Sequence, residues 1–279
     1  MWLISNYLQM DRQKIKDYYA HEIEANRLDM EVFKLEGIRT KEIIERYIQK
    51  EDLEVLDIGG GAGYYSFWLH EKGHHVSLVD LSPANIELAK GRSQSRGSSL
   101  ERIETGDAVN LNFSNEQFDV VLLLGPLYHL PDRDERLKAL SEARRVLKPQ
   151  GLLFASIISR YASLIDGFQR DLVLDDRFFD LLTNDLKTGI HQNKTDNLEY
   201  FTTAYFHKPK EIVTEIEESQ LKFDRLIPVE SFGWIVPHFN EKVKDPAYMR
   251  KLLETIRMVE TNEDLFPMSP HIIALARKE

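Results

Sequence analysis

Short apolar runs alternate with segments of helical spacing along most of the chain. Residues 53–58 form the first run, and a cluster of glycines follows them. In residues 64–72 the apolar side chains recur at the spacing of one helix face, namely at Tyr64, Phe67, Trp68 and Leu69. A second apolar run, residues 76–79, ends on Asp80. This order predicts a strand, a helix and a second parallel strand joined by a right-handed crossover.

The same alternation continues to the end of the chain. Further strands are predicted at residues 100–105, 118–124, 152–158, 223–229 and 271–276. Further helices are predicted at residues 82–92, 132–147, 209–220 and 245–260, with two or three more within residues 11–50, while residues 91–99 and 148–151 are predicted to be connections. The run after Asp119 is apolar throughout, which is typical of a central parallel strand. The sequence therefore predicts an α/β fold with helices on both faces of the sheet.

The glycines after the first strand mark a turn at which a ligand can approach the backbone. Gly59, Gly61 and Gly63 alternate along the turn. Because glycine has no Cβ, main-chain amides and the positive end of the next helix can face a ligand there. Asp80 ends the neighbouring strand, where a carboxylate suits the two adjacent hydroxyls of a ribose. These features predict a nucleoside-binding site.

The spacing of the glycines indicates which kind of nucleoside cofactor the predicted site binds. A dinucleotide-binding G-x-G-x-x-G motif requires a third glycine where Tyr64 stands. The pattern Asp57-x-Gly59-x-Gly61-x-Gly63 instead resembles the first motif of the class I S-adenosylmethionine-dependent methyltransferases. The resemblance implies that S-adenosylmethionine is the cofactor and that Asp80 binds its ribose. The full set of cofactor-binding residues that we expect around this turn is Asp57, Gly59, Gly60, Gly61, Gly63, Asp80 and Leu81.

Other segments are similar to the same family and extend the expected cofactor site. Gly106-Asp107-Ala108 resembles the motif whose acid bonds the adenine amino group, so Asp107 and Ala108 are candidates, although Gly-Asp is also an ordinary turn. Leu124, at the end of the fourth strand, is a further candidate. In methyltransferases of this type the N-terminal helices often fold over the site, which makes Tyr18 and Arg27 candidates as well. Core packing of Tyr18 and solvation of Arg27 are the alternative.

The resemblance, which covers about residues 52–278, implies a Rossmann-like seven-stranded methyltransferase sheet. Its last strand is expected to lie antiparallel between the fifth and the sixth. We expect residues 1–51 to form a helical segment over the site, residues 52–279 to form the methyltransferase domain, and residues 160–208 to be a cap inserted after the fifth strand. Two aromatic stretches, residues 199–207 and 231–239, either enclose a planar or cationic acceptor or pack in the core.

Methyl transfer from a sulfonium requires positioning and desolvation more than covalent chemistry. An acceptor hydroxyl or protonated amine also requires a base, and His129, just after the fourth strand, is the best-placed candidate. Tyr128 is the second catalytic candidate, as a residue lining the same pocket. Either side chain can instead serve packing. His191 and His207, in the expected cap, are weaker candidates for a base.

Composition favours a small-molecule acceptor over nucleic acid. The formal net charge is −10, with 46 acidic against 36 basic side chains, which argues against extensive binding to the phosphate backbone of a nucleic acid. Residues 125–128 keep the proline and the ring of the Asp/Asn-Pro-Pro-aromatic loop found in amino-methylating nucleic-acid enzymes, but lack its leading acid or amide and its second proline. Cysteine is absent, which excludes a disulfide, a thiolate metal site and a cysteine nucleophile. We predict no metal site, and we discount His74 and His75 because they precede the second strand.

No apolar run approaches the roughly 20 residues of a membrane span, and the first ten residues lack the pattern of a signal peptide. We therefore expect a cytoplasmic protein with no membrane partner, and leave the oligomeric state and the methylated atom open.

Two alternatives to methyl transfer remain. A nicotinamide-dependent oxidoreductase would explain the strand that ends on an acid but not the glycine spacing. A non-catalytic nucleoside-binding regulatory module would keep both features.

Overall fold

A computed structural model describes residues 33–195 and 197–279. The helices are α1 (Lys34–Tyr47), α2 (Tyr64–Glu71), α3 (Pro83–Arg96), α4 (Arg133–Val146), α5 (Ala162–Gln169), α6 (Asp176–Thr188), α7 (Pro209–Glu218), α8 (Phe239–Lys242) and α9 (Pro246–Val259). The strands are β1 (Glu54–Ile58), β2 (His75–Asp80), β3 (Arg102–Thr105), β4 (Phe118–Leu123), β5 (Leu147–Ser159), β6 (Ile190–His191), β7 (Ala204–His207), β8 (Lys222–Pro228) and β9 (His271–Arg277).

The strands form one sheet whose central part is parallel. Strands β3, β2, β1, β4 and β5 lie side by side in that order and run in the same direction. Strand β9 lies antiparallel between β5 and β8. This arrangement confirms the predicted Rossmann-like sheet, to which the short β6–β7 hairpin is added. Because β9 runs backwards, its first residue lies at the edge where the parallel strands end.

Two layers of helices bury the two faces of the sheet. Helices α4 and α7 pack on one face through residues such as Leu140 and Ile212. Helices α1, α2 and α3 pack on the other through residues such as Ile44, Phe67 and Ile86. Side chains of the central strands therefore alternate between two apolar clusters, as successive residues of a strand must. Within the described part of the chain, no helix is long and apolar enough to cross a membrane.

Helix α3 is longer than predicted. Ser82 caps its first turn by accepting a hydrogen bond from the Asn85 amide, as its position before a proline predicts. The prediction of a loop over residues 91–99 is wrong for residues 91–96, because the helix continues to Arg96 and ends at Gly97, whose φ is +60°. An exposed glycine inside a helix costs only about 1 kcal/mol, so Gly91 does not stop it.

The start of β5 also differs from the prediction. Residues 148–151 do not form a separate connection but belong to the strand, which begins directly at Leu147 after α4. The pairing with β4 shifts register between Phe118 and Val120, and Gln150 has a φ of +65°. An irregular strand start of this kind leaves little trace in an apolar pattern.

The chain between β5 and α7 lies over the end of β4. Strand β7 pairs with the last residues of β5, where Ile158 faces Phe206, beyond the point at which β4 ends. It therefore lies beside the 3-10 turn Pro126–His129 that follows β4. In the two aromatic stretches, Tyr200 and Phe206 are buried and Phe232 packs with α9, so these rings serve the core. The division of the chain into cap and domain stays a prediction.

Candidate functional site

One cavity follows the edge of the sheet at which the parallel strands end. It extends from the turn after β3, past the ends of β2, β1 and β4, to residues of β5 and β9. Most of the predicted site residues within the described chain line it: Asp57, Gly59, Gly60, Gly61, Asp80, Leu81, Asp107, Ala108, Leu124, Tyr128 and His129. Tyr18 and Arg27 lie outside the described residues, so their predicted contacts stay predictions.

The glycine turn is packed against the end of β2. The Gly59 amide donates to the Val79 carbonyl at 2.7 Å. Gly59 has a φ of +72°, and a Cβ there would lie 2.7 Å from the ring of Pro126. Gly63 has a φ of +86° at the cap of α2, and its Cβ would lie 2.7 Å from the ring of Phe67. Gly63 does not line the cavity, so here the glycine is needed for the turn geometry and for packing.

Asp80 joins the loops that follow β1 and β2. Its Oδ2 accepts a hydrogen bond from the Gly61 amide at 2.8 Å, and its Oδ1 accepts from the Ser82 amide at 2.8 Å and from Asn85 Nδ2 at 3.2 Å. Burial raises the pKa of this carboxyl group, while the three hydrogen bonds oppose the shift. A carboxylate has about four acceptor positions, so Asp80 can also accept from a ligand hydroxyl.

Asp57 lies beneath the glycine turn. It is 1% exposed, and the Ser66 hydroxyl donates to its Oδ2 at 2.6 Å. A Cβ on Gly60 would lie 2.6 Å from the same oxygen, so the turn rests directly on the carboxyl group. Burial, and to a smaller extent the charge of Asp80, raises the pKa of Asp57 to about 6, against the hydrogen bond from Ser66. Asp57 therefore supports the turn from below.

Asp107 belongs to the turn at the β3 end of the cavity. Its Oδ1 accepts from the Val109 amide at 3.2 Å, and its carbonyl accepts from the Asn110 amide at 3.0 Å. This is the hydrogen bonding of an ordinary Asp turn, yet the residue also lines the cavity with Gly106 and Ala108. The two interpretations of this motif are therefore compatible.

The predicted catalytic pair lies on the turn after β4. His129 Nδ1 is 3.4 Å from the Thr203 carbonyl, and the His129 ring lies 4.7 Å from the Tyr128 ring. Tyr128 is 8% exposed and packs against Ile158 and Phe206. Both residues thus combine a place in the cavity wall with packing against the chain that covers it.

The two histidines of the expected cap lie away from the cavity wall. His191 is 1% exposed, with Nδ1 at 2.8 Å from Asp185 and Nε2 at 2.6 Å from the Tyr200 carbonyl. His207 is fully buried beside Glu215, and burial lowers its pKa. Neither lines the cavity. His75, at the start of β2, lies at the opposite edge of the sheet.

One ionisable residue of β9 and one of α1 border the cavity without any sequence motif that marks them. His271 and Glu36 both line the cavity. His271 Nδ1 is 2.7 Å from Glu230 Oε1 and 3.9 Å from Glu36 Oε2. The available signal was the direction of the last strand, since an antiparallel strand begins where the parallel ones end. Possible ligand atoms of these three residues lie within 4.8 Å of one another.

Comparison with known proteins gives partial matches in sequence. Residues 56–155 match the protein family described as a methyltransferase domain. Methyltransferase GfsG of Streptomyces halstedii is 33% identical over 138 residues, covering 46% of this chain and 49% of that protein. A ubiquinone biosynthesis O-methyltransferase of Cereibacter sphaeroides is 36% identical over 111 residues, covering 39% of this chain and 43% of that protein. The chain thus spans about half the length of the curated relatives it matches.

The fold is shared over a greater length than the sequence. A crystal structure of a SAM-dependent methyltransferase from Methanosarcina mazei matches this chain with a TM-score of 0.57. The match covers 85% of this chain and 96% of that one, at 22% identity. At this identity the similarity concerns the fold alone, including the sheet whose strand ends form the cavity.

Proposed function

We propose that this chain is a class I S-adenosylmethionine-dependent methyltransferase that methylates a small-molecule acceptor, since its residues 56–155 match a methyltransferase domain. The observation that carries the proposal is the contact of Asp80 with the Gly61 amide at 2.8 Å. It sets a carboxylate beside an open glycine turn in a cavity that runs on toward His129 and His271.

The residues around the turn fit S-adenosylmethionine. Asp80 is a buried acceptor beside the backbone of Gly59–Gly61, and Asp107 borders the same cavity one strand further out. We assign the ribose to Asp80, the adenine to Asp107 and Ala108, and the amino-acid end to the glycine turn. When bound, the cofactor supplies an electrophilic methyl group on a sulfonium. Leu124 and the turn after β4 then exclude water beside it.

A small molecule suits the enclosed end of the cavity. Helix α1 contributes Glu36 and Thr40 to the wall, and the turn after β4 contributes Tyr128 and His129 from another side. The net charge of −10 disfavours a polyanionic acceptor. The O-methyltransferase name of the Cereibacter sphaeroides relative also supports a small acceptor.

The first test is cofactor binding by calorimetry with wild-type protein and the Asp80→Ala variant. We expect S-adenosylhomocysteine to bind the wild type, and Asp80→Ala to weaken it by about 1–3 kcal/mol, or about 5- to 150-fold, because the hydroxyls lose charge-assisted hydrogen bonds. Glu87→Ala, an exposed carboxylate on α3, is the matched control and should bind as the wild type does.

Thermal unfolding of Asp80→Ala must accompany the titration, because Asp80 also bonds three groups of the protein. Unchanged affinity in a folded variant would contradict the assignment of the ribose. Tight binding of NAD without binding of the methyltransferase cofactor would favour the oxidoreductase alternative. Tight cofactor binding with no transfer of radiolabelled methyl to a broad panel of phenols, amines and thiols would favour the regulatory module.

His129 and Tyr128 remain our proposed contacts to the acceptor. We expect His129→Ala to slow turnover by about tenfold and to alter cofactor affinity much less, because the side chain lines the cavity from the turn after β4 and we assign the cofactor's polar contacts to Asp80, Asp107 and the glycine turn. Initial rates and calorimetry on the same preparation measure the two quantities. Equal turnover in the variant and the wild type would leave His129 as a packing residue of the turn after β4.

A further inference from the structure

We propose that His271, oriented by Glu230, takes the proton of the methyl acceptor, and that the acceptor is therefore a compound that loses a proton on methylation, as a hydroxyl compound does. This inference rests on the proposed function and deepens it. It replaces His129 by His271 as the base and keeps His129 as an acceptor contact.

The position of His271 meets the first requirement for such a base. It is the first residue of β9 and lies opposite Ile158 near the end of β5. Its side chain is 16% exposed and lines the cavity. Strand β9 is two strands beyond β4, about 10 Å at the usual strand spacing, on the side away from Asp80. His271 therefore faces the end of the cavity that we assign to the acceptor.

Glu230 is held firmly behind the imidazole. Its side chain is 6% exposed and does not line the cavity. Its Oε1 lies 2.7 Å from His271 Nδ1, and its Oε2 accepts from the His271 amide at 3.2 Å. The Ser269 hydroxyl lies 3.1 Å from Oε2 and 2.7 Å from the His271 carbonyl, and its oxygen accepts from the Glu230 and Ser231 amides. These contacts fix the carboxylate, and the carboxylate fixes the ring.

The Glu230 contact determines which nitrogen is basic. An ionised carboxylate can only accept, so Nδ1 carries the proton of the neutral ring and Nε2 holds the lone pair. When Nε2 takes a proton, Glu230 stabilises the imidazolium, as an acid does behind a catalytic histidine. Among the described residues, the carboxylate of Glu36 and the ring of Tyr128, whose centroid lies 6.4 Å away, also face the imidazole. Glu36 adds a second negative charge on the Nδ1 side.

The bonds, electrons and proton of the methyl transfer are all accounted for with this one base. The acceptor oxygen forms a bond to the methyl carbon, the carbon–sulfur bond breaks, and its electron pair stays on sulfur. The hydroxyl proton passes to His271 Nε2. A thioether or tertiary amine acceptor would have no proton to lose and would not need the base.

The same three side chains could instead ligate a cation, since their ligand atoms lie within 4.8 Å of one another. The hydrogen bonds within this group of side chains argue against a bound cation. Both oxygens of Glu230 and Nδ1 of His271 already bond within the group, so a cation would have to displace the contact at 2.7 Å. We therefore infer proton transfer and treat metal dependence as an outcome of the test.

The test measures methylation of phenol and of pentafluorophenol, which is ionised at neutral pH and needs no base. We expect His271→Ala and His271→Gln to reduce the phenol rate by about 10²–10⁴-fold and the pentafluorophenol rate by less than tenfold. Affinity for S-adenosylhomocysteine should stay within about threefold, which also shows that the variants fold. His75→Ala, a half-exposed histidine at the opposite edge of the sheet, is the control and should match the wild type.

Nitrogen-15 NMR of the imidazole tests the role of Glu230 separately. We expect the wild type to hold the Nδ1–H tautomer of His271, and Glu230→Gln to populate both tautomers and to slow phenol methylation more than it alters its KM. A wild-type Nε2–H tautomer, or a loss of activity on chelation that divalent metal restores, would overturn the inference. Equal losses with the two phenols, or a greater loss in His129→Ala, would also overturn the inference. Methylation of thioethers and tertiary amines only would overturn the inference but keep the methyltransferase proposal. No transfer to any acceptor would overturn both.

Discussion

Replacement of Arg136 by methionine is expected to lower the free energy of unfolding by about 3–5 kcal/mol. Arg136 on α4 and Glu215 on α7 form an ion pair whose side chains are both 2% exposed. Two guanidinium nitrogens contact Glu215 at 2.7–3.1 Å, and Nη1 donates to the Leu130 and Pro131 carbonyls. Methionine fills much of the volume but leaves the Glu215 carboxylate and two carbonyls without their donor.

The control is on the same helix. Arg133 pairs with Glu218 at 2.6 Å, but both side chains are nearly half exposed, so Arg133→Met should cost less than about 1 kcal/mol. Urea unfolding of the two variants at neutral pH measures the difference. Similar losses for both would show that burial of the Arg136 pair does not control its contribution. The double variant Arg136→Met, Glu215→Leu should recover part of the loss, because it removes both charges but leaves the two carbonyls and His207 Nε2 without these partners.

Asp57 is expected to make stability depend on pH in the direction opposite to most carboxyl groups. Its pKa in the folded protein is about 6, above the ordinary value of 3.8. The folded state therefore binds the proton more tightly than the unfolded state does. This contribution to stability is complete below about pH 4 and is lost as pH rises through about 6. The loss is on the order of 3 kcal/mol, at about 1.4 kcal/mol per pKa unit.

Comparison of the wild type with Asp57→Asn isolates this effect from the other ionisable groups. We expect the variant to gain stability relative to the wild type as pH rises from 4 to 7, because its amide cannot ionise. Chemical unfolding at several pH values gives the difference. Asp134→Asn, at an exposed position of α4, should run parallel to the wild type. A constant difference between Asp57→Asn and the wild type would refute the raised pKa.

The central sheet could be predicted because its signal is local. The apolar run after Asp119 and the run ending on Asp80 each fix a strand by composition, and the crossover rule then fixes its direction. The loop predicted around Gly91 failed because helix continuation depends on neighbours that the local pattern does not show. The pairing of Phe206 with Ile158 is likewise non-local and could not be derived from periodicity.

The difference between local and non-local signals also explains why one end of the cavity could be predicted from the sequence and the other could not. Gly61, Asp80 and Asp107 lie at the ends of three consecutive parallel strands, so their order along the chain predicts that they meet at one edge. Glu36 comes from a helix ahead of the sheet and His271 from an antiparallel strand at its far side. Their meeting requires knowledge of how those elements dock, which a motif does not contain.

The hydrogen bond from the Gly61 amide to Asp80 has a consequence for the kinetics of ligand capture. Both partners of this hydrogen bond belong to the protein, so the contact that holds the loop does not depend on a bound nucleoside. The entropy of ordering that loop is lost during folding and not during association, which is preorganisation. Encounter should then proceed without a slow rearrangement, and variants of the loop should differ mainly in residence time.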